Sequence, residues 1–427
     1  MSKIYDKLSL KIDEWRDEQK TMLAMGGDKL LSEVTISQAL GGMRAVRALV
    51  CDTSRVPQDI GLIVRGMPLN DITHISPEEV FYLLLTSELP DKIELKSFSE
   101  NLKTRKFVPQ YVWDVLKAMP ESSHPMTMLS TAILVLQKES IFAKEYDRGI
   151  KKEDYWKPTL EDSLNLVAKI PAIAAAIYRL RFKKGGIIKP DPDMDLTGDY
   201  VHMLGIESTN KEELNDLMRV YLVAHCDHEG GNVSAFSTQT INSALSDIYY
   251  SLSGGFNGLA GPLHGLANQE CLKFILEMME KFGGTPDEKQ ATQQVKETLE
   301  SGKVIPGYGH AVLRIVDPRF TAFMKFGKKH FPEDPVFKTV SVLFDIVPKE
   351  LKKIEKIKNP WPNVDAASGS MLYHYGIKEF SYYTVVFAVS RSLGLSAQSV
   401  INRAMMYPII RPKSVTTQYL KDLLITK

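Results

Sequence analysis

Hydrophobic residues recur along the chain at spacings of three and four, which is the period of a helix with one buried face. Alternation with a period of two, bounded by hairpin dipeptides, hardly occurs. The pattern therefore predicts a mostly α-helical protein. The two clearest stripes are Leu164, Val167, Ile170, Ile173 and Ile177, and Leu272, Ile275, Leu276, Met279 and Phe282.

Local signals predict where several of these helices bend, begin and end. Pro171 lies inside the first stripe and predicts a kink. Gly283 and Gly284 follow the second stripe, at the position of a left-handed cap. Capping boxes are predicted at 209–212 and 285–288.

Two apolar stretches, 164–180 and 380–395, are long enough to raise the question of a membrane span. Lys169 and Arg179 interrupt the first and Arg391 interrupts the second, so neither is expected to cross a membrane. Arg391 is also a candidate site residue, because a buried arginine needs an anionic partner. Exposure at the surface, an internal carboxylate and a bound di- or tricarboxylate are all compatible with the sequence.

Composition excludes several classes of protein. The 427 residues include 53 basic and 52 acidic side chains, and a net charge of +1 argues against binding nucleic acid or anionic membranes through bulk charge. With 44% hydrophobic residues the chain can bury a large core, in roughly two to three domain-sized units. Cys51, Cys226 and Cys271 lack a CxxC spacing, so a reducing compartment is expected. The acidic residues among the first twenty predict no targeting signal and a cytoplasmic, bacterial-type location, with the mitochondrial matrix only if a transit peptide had been removed.

Three histidines stand beside glycines that allow close approach of the backbone: His228, His264 and His310. His264 precedes the helix of the second stripe, whose dipole would favour a neutral ring. A neutral imidazole can donate to a carbonyl oxygen that gains negative charge. The alternative is a loop histidine bonded to the backbone.

Charged residues in two further segments are also candidates for a functional site. Arg314 and Arg319 lie close after His310, and such a cluster suits phosphate or carboxylate groups or forms a solvated basic face. The preceding Gly307–Gly309 turn does not match a dinucleotide fingerprint, because Val312 occupies the third glycine position. Asp365 is either a helix cap or a catalytic base.

A metal site is an alternative interpretation of the segment around His228. His225, Asp227, His228 and Glu229 are residue types that zinc and manganese accept. Adjacent helical residues point about 100° apart, so few of them could converge on one ion. A metallohydrolase built on them would be sensitive to chelators.

Five segments together resemble citrate synthase, in the family's order and with separations similar to its longer, eukaryotic-like branch. Five segments in register are far more specific than any one alone. The segments are DHEGGNVSA at 227–235, NGLAGPLHGLANQE at 257–270, VIPGYGHAVLRIVDPR at 304–319, NVDAASG at 363–369 and RPKS at 411–414.

The resemblance implies an acyltransferase that condenses acetyl-CoA with oxaloacetate and water to give citrate and CoA, without a metal or another cofactor. Asp365 matches the base that deprotonates the acetyl methyl group, His264 the donor to the thioester carbonyl, and His310 the donor to the ketone. The implied oxaloacetate contacts are His228, Asn232, Arg319, Arg391 and Arg411. The implied CoA contacts are Val304, Ile305, Pro306, Gly307, Tyr308, Gly309 and Arg314.

The resemblance also implies an all-α fold with two domains. The large domain would comprise 1–265 and 376–427 and carry dimerisation and the oxaloacetate site, and the small domain would be 266–375. A homodimer is implied, in which Arg411 completes the partner's site. Closure of one domain on the other would exclude water by induced fit.

The sequence departs from the family pattern in three places. Ala367 and Phe236 stand where the eukaryotic-like branch usually has histidine, and altered packing or hydration is expected there. Lys151 and Lys152 stand near the place where the family often supplies an arginine for CoA phosphates. The alternatives are 2-methylcitrate synthase, which uses propionyl-CoA, and a catalytically silent helical scaffold.

Overall fold

Twenty α-helices form most of the regular structure in residues 2–207, 210–310 and 312–425, which are those that this computed structural model describes. They are α1 (Ser2–Gly26), α2 (Ile36–Leu40), α3 (Leu69–Ile72), α4 (Pro77–Thr86), α5 (Lys92–Lys103), α6 (Gln110–Ala118), α7 (Pro125–Val135), α8 (Ile141–Asp147), α9 (Trp156–Arg181), α10 (Leu196–Leu204), α11 (Lys211–Ala224), α12 (Val233–Ser243), α13 (Ile248–Leu259), α14 (Ala267–Phe282), α15 (Glu288–Glu300), α16 (Pro318–His330), α17 (Pro335–Leu351), α18 (Asp365–His374), α19 (Tyr383–Ala404) and α20 (Thr417–Ile425). The all-α prediction is confirmed.

Three two-residue strands form one small antiparallel sheet between α2 and α3. The strands are β1 (Ser54–Arg55), β2 (Ile63–Val64) and β3 (Met67–Pro68), in that order across the sheet. Ser54 pairs with Val64, and Val64 pairs with Met67. The sheet matters because β1 lies against the loop that carries His228. Short 3-10 turns occupy Leu136–Glu139, Lys152–Asp154 and Phe380–Tyr382.

Helices α9 and α19 form the centre of the core. They pack against each other, and Leu164, Ile170, Ile173 and Ile177 of the predicted stripe are buried. Both helices are long and apolar enough to span a membrane by composition alone, but 78% and 94% of their most apolar windows are buried within the protein. Their hydrophobicity is therefore accounted for by packing. Helix α9 continues through Pro171.

Predicted helix ends are right in some places and wrong in others. Gly283 ends α14 with a φ of 73°, as predicted. The cap of α15 is Asp287 rather than Thr285, because the Asp287 carboxylate accepts from the backbone N–H of Gln290 in a capping box with that residue. Thr209 lies outside the described residues, and the side chain of Asn210 caps α11.

Helices α14 to α18 pack largely on one another. Helix α18 contacts α14, α16 and α17, and α17 contacts α15. Helix α16 also reaches α3 and α11. This cluster carries His310 and Asp365 in the loops and helix ends that face the remaining helices.

Candidate active site

His310 lies in the turn between α15 and α16, where two backbone N–H groups orient its ring. The N–H groups of Val312 and Leu313 both donate to Nδ1 at 3.0 Å. Nδ1 is therefore an acceptor, and the ring proton of the neutral form lies on Nε2. Burial, with the positive charge of Arg319, lowers the pKa of His310 to about 4. The ring is a neutral hydrogen-bond donor at physiological pH.

His264 is also a neutral histidine, and it lies three residues before Ala267, where α14 begins. Ser234 approaches Nε2 with its backbone N–H at 3.3 Å and its hydroxyl at 2.9 Å. Because a backbone N–H can only donate, Nε2 is the acceptor and Nδ1 carries the proton. Burial and the nearby Arg391 lower the pKa of His264 to about 4. The predicted neutral donor is thus present.

Asp365 is the first residue of α18, and it is not the cap of that helix. Val364 occupies the cap position without a side-chain bond, and Asn363 Oδ1 accepts from the Asp365 N–H at 2.9 Å. Burial raises the pKa of Asp365 to about 6, against the opposing effect of Arg319. A carboxylate with a raised pKa is a stronger base than an ordinary aspartate.

Arg391 and Arg319 are both buried, but they differ in their partners. Arg391 Nε donates to the His225 carbonyl at 3.0 Å and Nη1 donates to Asn232 Oδ1 at 3.3 Å. No carboxylate of the described residues forms an ion pair with Arg391, and burial lowers its pKa to about 10. Arg319 forms a two-pronged pair with Asp317, with contacts of 2.7 to 3.1 Å. The internal salt bridge considered for Arg391 occurs at Arg319 instead.

His228 and Asn232 lie on the loop between α11 and α12. The His228 ring is 5.8 Å from the His310 ring, centre to centre, and its Nε2 is buried without a partner among the described residues. Burial, with Arg319 and Arg391 nearby, lowers the pKa of His228 well below its ordinary value. Two neutral imidazoles therefore lie close together near an arginine without an ion pair, a combination that suits an anionic molecule with a carbonyl group.

The turn formed by Val304–Gly309 is bonded to the segment that leads into Asp365. The Gly309 N–H donates to the Trp361 carbonyl and the Asn363 N–H donates to the Gly307 carbonyl, each at 2.9 Å. Gly307 has a φ of 80°, and a Cβ there would lie 2.8 Å from the Cα of Ala366. Ile305 is buried, whereas Val304 is exposed.

The remaining predicted residues lie at the edges of this region. Arg314 is exposed, and its Nη1 donates to the carbonyls of Val312 and Leu313. Pro306 and Tyr308 complete the turn, and Tyr308 Oη is buried without a partner among the described residues. Arg411 is exposed in the irregular segment after α19, away from the other arginines along the chain. The structure brings together the other predicted oxaloacetate residues but leaves Arg411 outside.

The metal-site alternative has no assembled ligand set. Within the described residues no group of three histidine, cysteine or acidic side chains could hold a metal ion. Asp227 accepts instead from Thr53 and Gln398. Glu229 accepts from the Val56 N–H.

Sequence reasoning missed several residues that build the site. Asp317 pairs with Arg319, and Asn363 Nδ2 donates to the Gly309 carbonyl at 3.1 Å. Asp317 precedes Arg319 by only two residues, at the start of α16. Their opposite charges at this short spacing could have predicted the ion pair. The guanidinium of Arg391 lies 4.8 Å from the centre of the Phe387 ring. The two residues are four apart in α19, and this spacing could have predicted the contact.

Comparisons with known proteins identify the family of this chain. Residues 42–413 match the family model described as "Citrate synthase, C-terminal domain". The chain belongs to the citrate synthase family. The predicted family and acyltransferase class are confirmed.

Similar relatives span nearly the whole chain. The mitochondrial citrate synthase of Saccharomyces cerevisiae is 44% identical over 417 residues, covering 95% of this chain and 86% of the yeast protein. Citrate synthase 4, mitochondrial, of Arabidopsis thaliana is 43% identical over 420 residues, covering 96% and 88%. The mitochondrial 2-methylcitrate synthase of Yarrowia lipolytica is 44% identical over 408 residues, covering 93% and 87%.

Solved citrate synthase structures share the fold. The enzyme of Pyrobaculum aerophilum has a TM-score of 0.80 at 26% identity, covering 91% of this chain and 95% of its own. The enzyme of Thermoplasma acidophilum, solved as a ternary complex with carboxymethyl coenzyme A and oxaloacetate, has a TM-score of 0.77 at 23% identity and covers 90% and 97%. At that identity the likeness shows the fold alone.

The predicted bacterial-type cytoplasmic location is wrong. Relatives at 42–44% identity from plants, yeast and Tetrahymena thermophila are named mitochondrial. The acidic residues behind the prediction belong to α1, where Ile4, Leu8 and Ile12 are buried. Their composition reflects a packed, folded helix and is no guide to location.

Proposed function

We propose that this chain condenses acetyl-CoA with oxaloacetate and hydrolyses the resulting citryl-CoA to citrate and CoA. The observation that carries the proposal is Arg391, a buried cation without an ion pair in the described residues, beside the unpartnered His228 Nε2. Because a buried unpaired charge is costly, this arrangement supports an anionic ligand as the missing partner. A dicarboxylate with a ketone fits both groups.

Oxaloacetate would bind through its carboxylates and present its ketone to His310. Arg391 and Arg319 would hold carboxylates, and His228 would donate to the ligand through Nε2. His310 Nε2–H would donate to the ketone oxygen, withdrawing electrons from the carbon that is attacked. The hydrogen bond from this neutral ring becomes stronger as the ketone oxygen becomes negative.

Asp365 would act as the base on acetyl-CoA. It removes a proton from the methyl group while His264 Nδ1–H donates to the thioester oxygen, so that an enol or enolate forms. That carbon then bonds to the ketone carbon of oxaloacetate, and the resulting alkoxide takes the His310 proton. The proton held on Asp365 would replace it before the next turnover, which restores both groups. Water finally adds to the citryl thioester, and CoA leaves as the thiol.

The turn at 304–309 is proposed as the CoA-binding loop, with Arg314 at its edge. Its support is the pair of backbone bonds that join Gly307 and Gly309 to the segment before Asp365. CoA bound on this turn would lie beside the base. Lys151 is exposed, and its Nζ lies 3.8 Å from Glu153 Oε1, so Lys151 is not assigned to CoA.

We further propose the division into a large domain, 1–265 and 376–427, and a small domain, 266–375. The packing of α14 to α18 on one another supports it. Small-domain movement would carry Asp365 and His310 toward Arg391 and exclude water from the reactive thioester.

A homodimer is proposed, with Arg411 reaching the partner's site. Support comes from the exposure of Arg411 and from apolar side chains on neighbouring helices that a second copy could cover. These are Leu134 on α7, Val233 and Phe236 on α12, and Tyr250 on α13. Phe236, one of the two positions where the family usually has histidine, would lie in this interface, whereas the other, Ala367, is buried in α18.

No cofactor or metal is part of the proposal, because each chemical step has an assigned side chain in Asp365, His264 or His310. Activity should therefore be insensitive to a chelator. A mitochondrial location is proposed from the named locations of the relatives, and cell fractionation would test it.

Thiol release measured with acetyl-CoA and with propionyl-CoA, each with and without oxaloacetate, tests the function. Oxaloacetate-dependent release that favours acetyl-CoA is expected. Preference for propionyl-CoA would favour 2-methylcitrate synthase, which a 44% identical relative supports as the second candidate. One methylene is worth about 1–3 kcal/mol, so the ratio must be measured. No release with either substrate would contradict both.

A further inference from the structure

The loop that carries His228 is held in position by residues other than the histidine. His228 Nε2 is buried without a partner among the described residues. A buried polar atom without a partner disfavours the conformation that buries it. Other contacts must therefore keep the loop in place when no ligand is bound.

Those contacts come from the two carboxylates that flank His228, and they reach β1 and the residues beside it. Thr53 Oγ1 donates to Asp227 Oδ2 at 2.5 Å, and the Val56 N–H donates to Glu229 Oε1 at 2.6 Å. The Glu229 N–H donates to Ser54 Oγ at 2.8 Å. We call these three hydrogen bonds the β1 clasp.

The two carboxylates differ in how much else supports them. Asp227 is fully buried, and its Oδ1 also accepts from Gln398 Nε2 at 2.7 Å. The Glu229 side chain is half-buried, and its described bond is the one to Val56. Substitution of Glu229 therefore removes one bond of the clasp, the one to Val56, with less damage to the core than substitution of Asp227.

Glutamate is an unexpected residue at position 229. Its φ is 61°, in the left-handed region where a side chain other than glycine, asparagine or aspartate is uncommon. Gly230 and Gly231 follow directly, so the chain places glycines beside this position but not at it. An unfavourable backbone conformation that is retained next to a site indicates that the side chain has a task there.

We propose that Glu229 is a positioning residue for oxaloacetate: its carboxylate, fixed by Val56, sets the backbone of His228 and so aims Nε2 at the substrate. Asn232 extends the same arrangement, because its Nδ2 donates to the carbonyls of His228 and Glu229 at 2.7 and 3.0 Å. The inference rests on the proposed function. It adds a residue that touches neither substrate and yet determines the affinity for one of them.

The test compares Glu229→Ala with Glu229→Gln. The alanine variant loses the acceptor for Val56, and we expect the Kd and KM for oxaloacetate to rise about tenfold, or ~1.4 kcal/mol. The KM for acetyl-CoA and kcat should change less than about twofold, because Asp365 and His264 are not affected. The glutamine variant keeps an acceptor oxygen and should stay within about twofold of the wild type.

Glu229→Gly separates positioning from a general effect on folding. Glycine relieves the left-handed strain but supplies no acceptor. We expect this variant to melt at a higher temperature than Glu229→Ala while its oxaloacetate affinity remains weak. Ser87→Ala is the matched control, because Ser87 has a φ of 66° at the end of α4, outside the site, and its replacement should leave the oxaloacetate Kd unchanged.

Calorimetric titration of oxaloacetate without CoA gives the decisive readings. An unchanged Kd in Glu229→Ala, or recovery of affinity in Glu229→Gly, would overturn the positioning role. Failure of the wild-type chain to bind oxaloacetate would instead overturn the proposed function. The two failures are therefore distinguishable.

Discussion

The oxaloacetate side and the acyl side of the site are built in different ways. The oxaloacetate side, comprising His228, Asn232 and Arg391, is tied to the helical core and to β1 by side-chain hydrogen bonds. The acyl side, comprising the turn 304–309 and Asp365, is formed by loop segments bonded mainly to each other. The first side is held by the core, whereas the second is held mainly by bonds within its own segments.

Under the proposed function, this difference would let oxaloacetate bind before acetyl-CoA. A site fixed by the core can bind oxaloacetate before any CoA arrives, because its charged and polar groups are already oriented. A loop unit that carries both the base and the CoA turn can be placed afterwards. Substitutions should accordingly divide into those that weaken oxaloacetate binding and those that impair only the acyl steps.

Asp365→Asn should give the largest effect and should be confined to the acyl side. Loss of the base is expected to reduce kcat by about 10³-fold, since positioned bases contribute roughly 10²–10⁴-fold. Steady-state thiol release measures it. Asp114→Asn, at an exposed position on α6, is a matched control of the same chemistry. Near-normal turnover in Asp365→Asn would show that Asp365 is not the base.

Arg391→Leu should break the oxaloacetate side without unfolding the protein. Losing the charged donors should raise the KM for oxaloacetate by about 10²-fold. The melting temperature should hold, because a buried cation without an ion pair is replaced by an apolar side chain. If the variant failed to fold, a structural role for Arg391 would be favoured instead.

Arg319→Leu sharpens that contrast. It would leave Asp317 buried without its cation, which typically costs about 3–5 kcal/mol of unfolding free energy. Chemical denaturation of both variants compares them. Equal stability would mean that the two arginines do not differ as their partners indicate.

Gly307→Ala should perturb the acyl side, with a smaller effect than the substitutions of Asp365 and Arg391. The new Cβ would lie 2.8 Å from the Cα of Ala366 and 2.9 Å from Cys271 Sγ. We expect the KM for acetyl-CoA to rise about tenfold, while the Kd for oxaloacetate is unchanged. Gly302→Ala is the control, because Gly302 has a φ of 78° and open space around it. Equal effects of the two substitutions would attribute the loss to backbone strain alone.

The pH profile should show the smallest effect, and it should report the base. Asp365 works when ionised, so kcat should rise with pH through its pKa of about 6 and level off above it. His264 and His310 have pKa values near 4, so both rings stay neutral at the pH values where Asp365 ionises and above. A rise centred near 4, or a fall between pH 6 and 8, would contradict these assignments.

The sequence predicted the helical fold, because helical periodicity is a local pattern, and local glycines drew attention to His264 and His310. Helical periodicity gave α9 and α14, and glycines marked the turns of His264 and His310. The partner of Arg391 could not be predicted, since His225 and Asn232 lie about 160 residues away and only the fold brings them together. The β1 clasp, with 173 to 175 residues between its partners, has the same origin.

Local signals also failed where two residues competed for one task. Thr285 and Asp287 could each cap α15, but the Asp287 carboxylate accepts from the Gln290 N–H, whereas the Thr285 hydroxyl donates to the Pro335 carbonyl. Asp365 was a plausible cap by residue type, but the helix begins at Asp365 itself. Boundaries of helices shift by one or two residues for such reasons, and here the shift moves Asp365 from the cap position to the first residue of α18.

Calorimetric titration of oxaloacetate into the wild type, Asp365→Asn and Arg391→Leu, without any CoA, tests the central difference most directly. We predict that the wild type and Asp365→Asn bind with the same Kd and that Arg391→Leu binds at least tenfold more weakly. If Asp365→Asn lost affinity in step with Arg391→Leu, or if the wild type bound only when a CoA derivative was present, the oxaloacetate side would not be preformed and the account would be wrong.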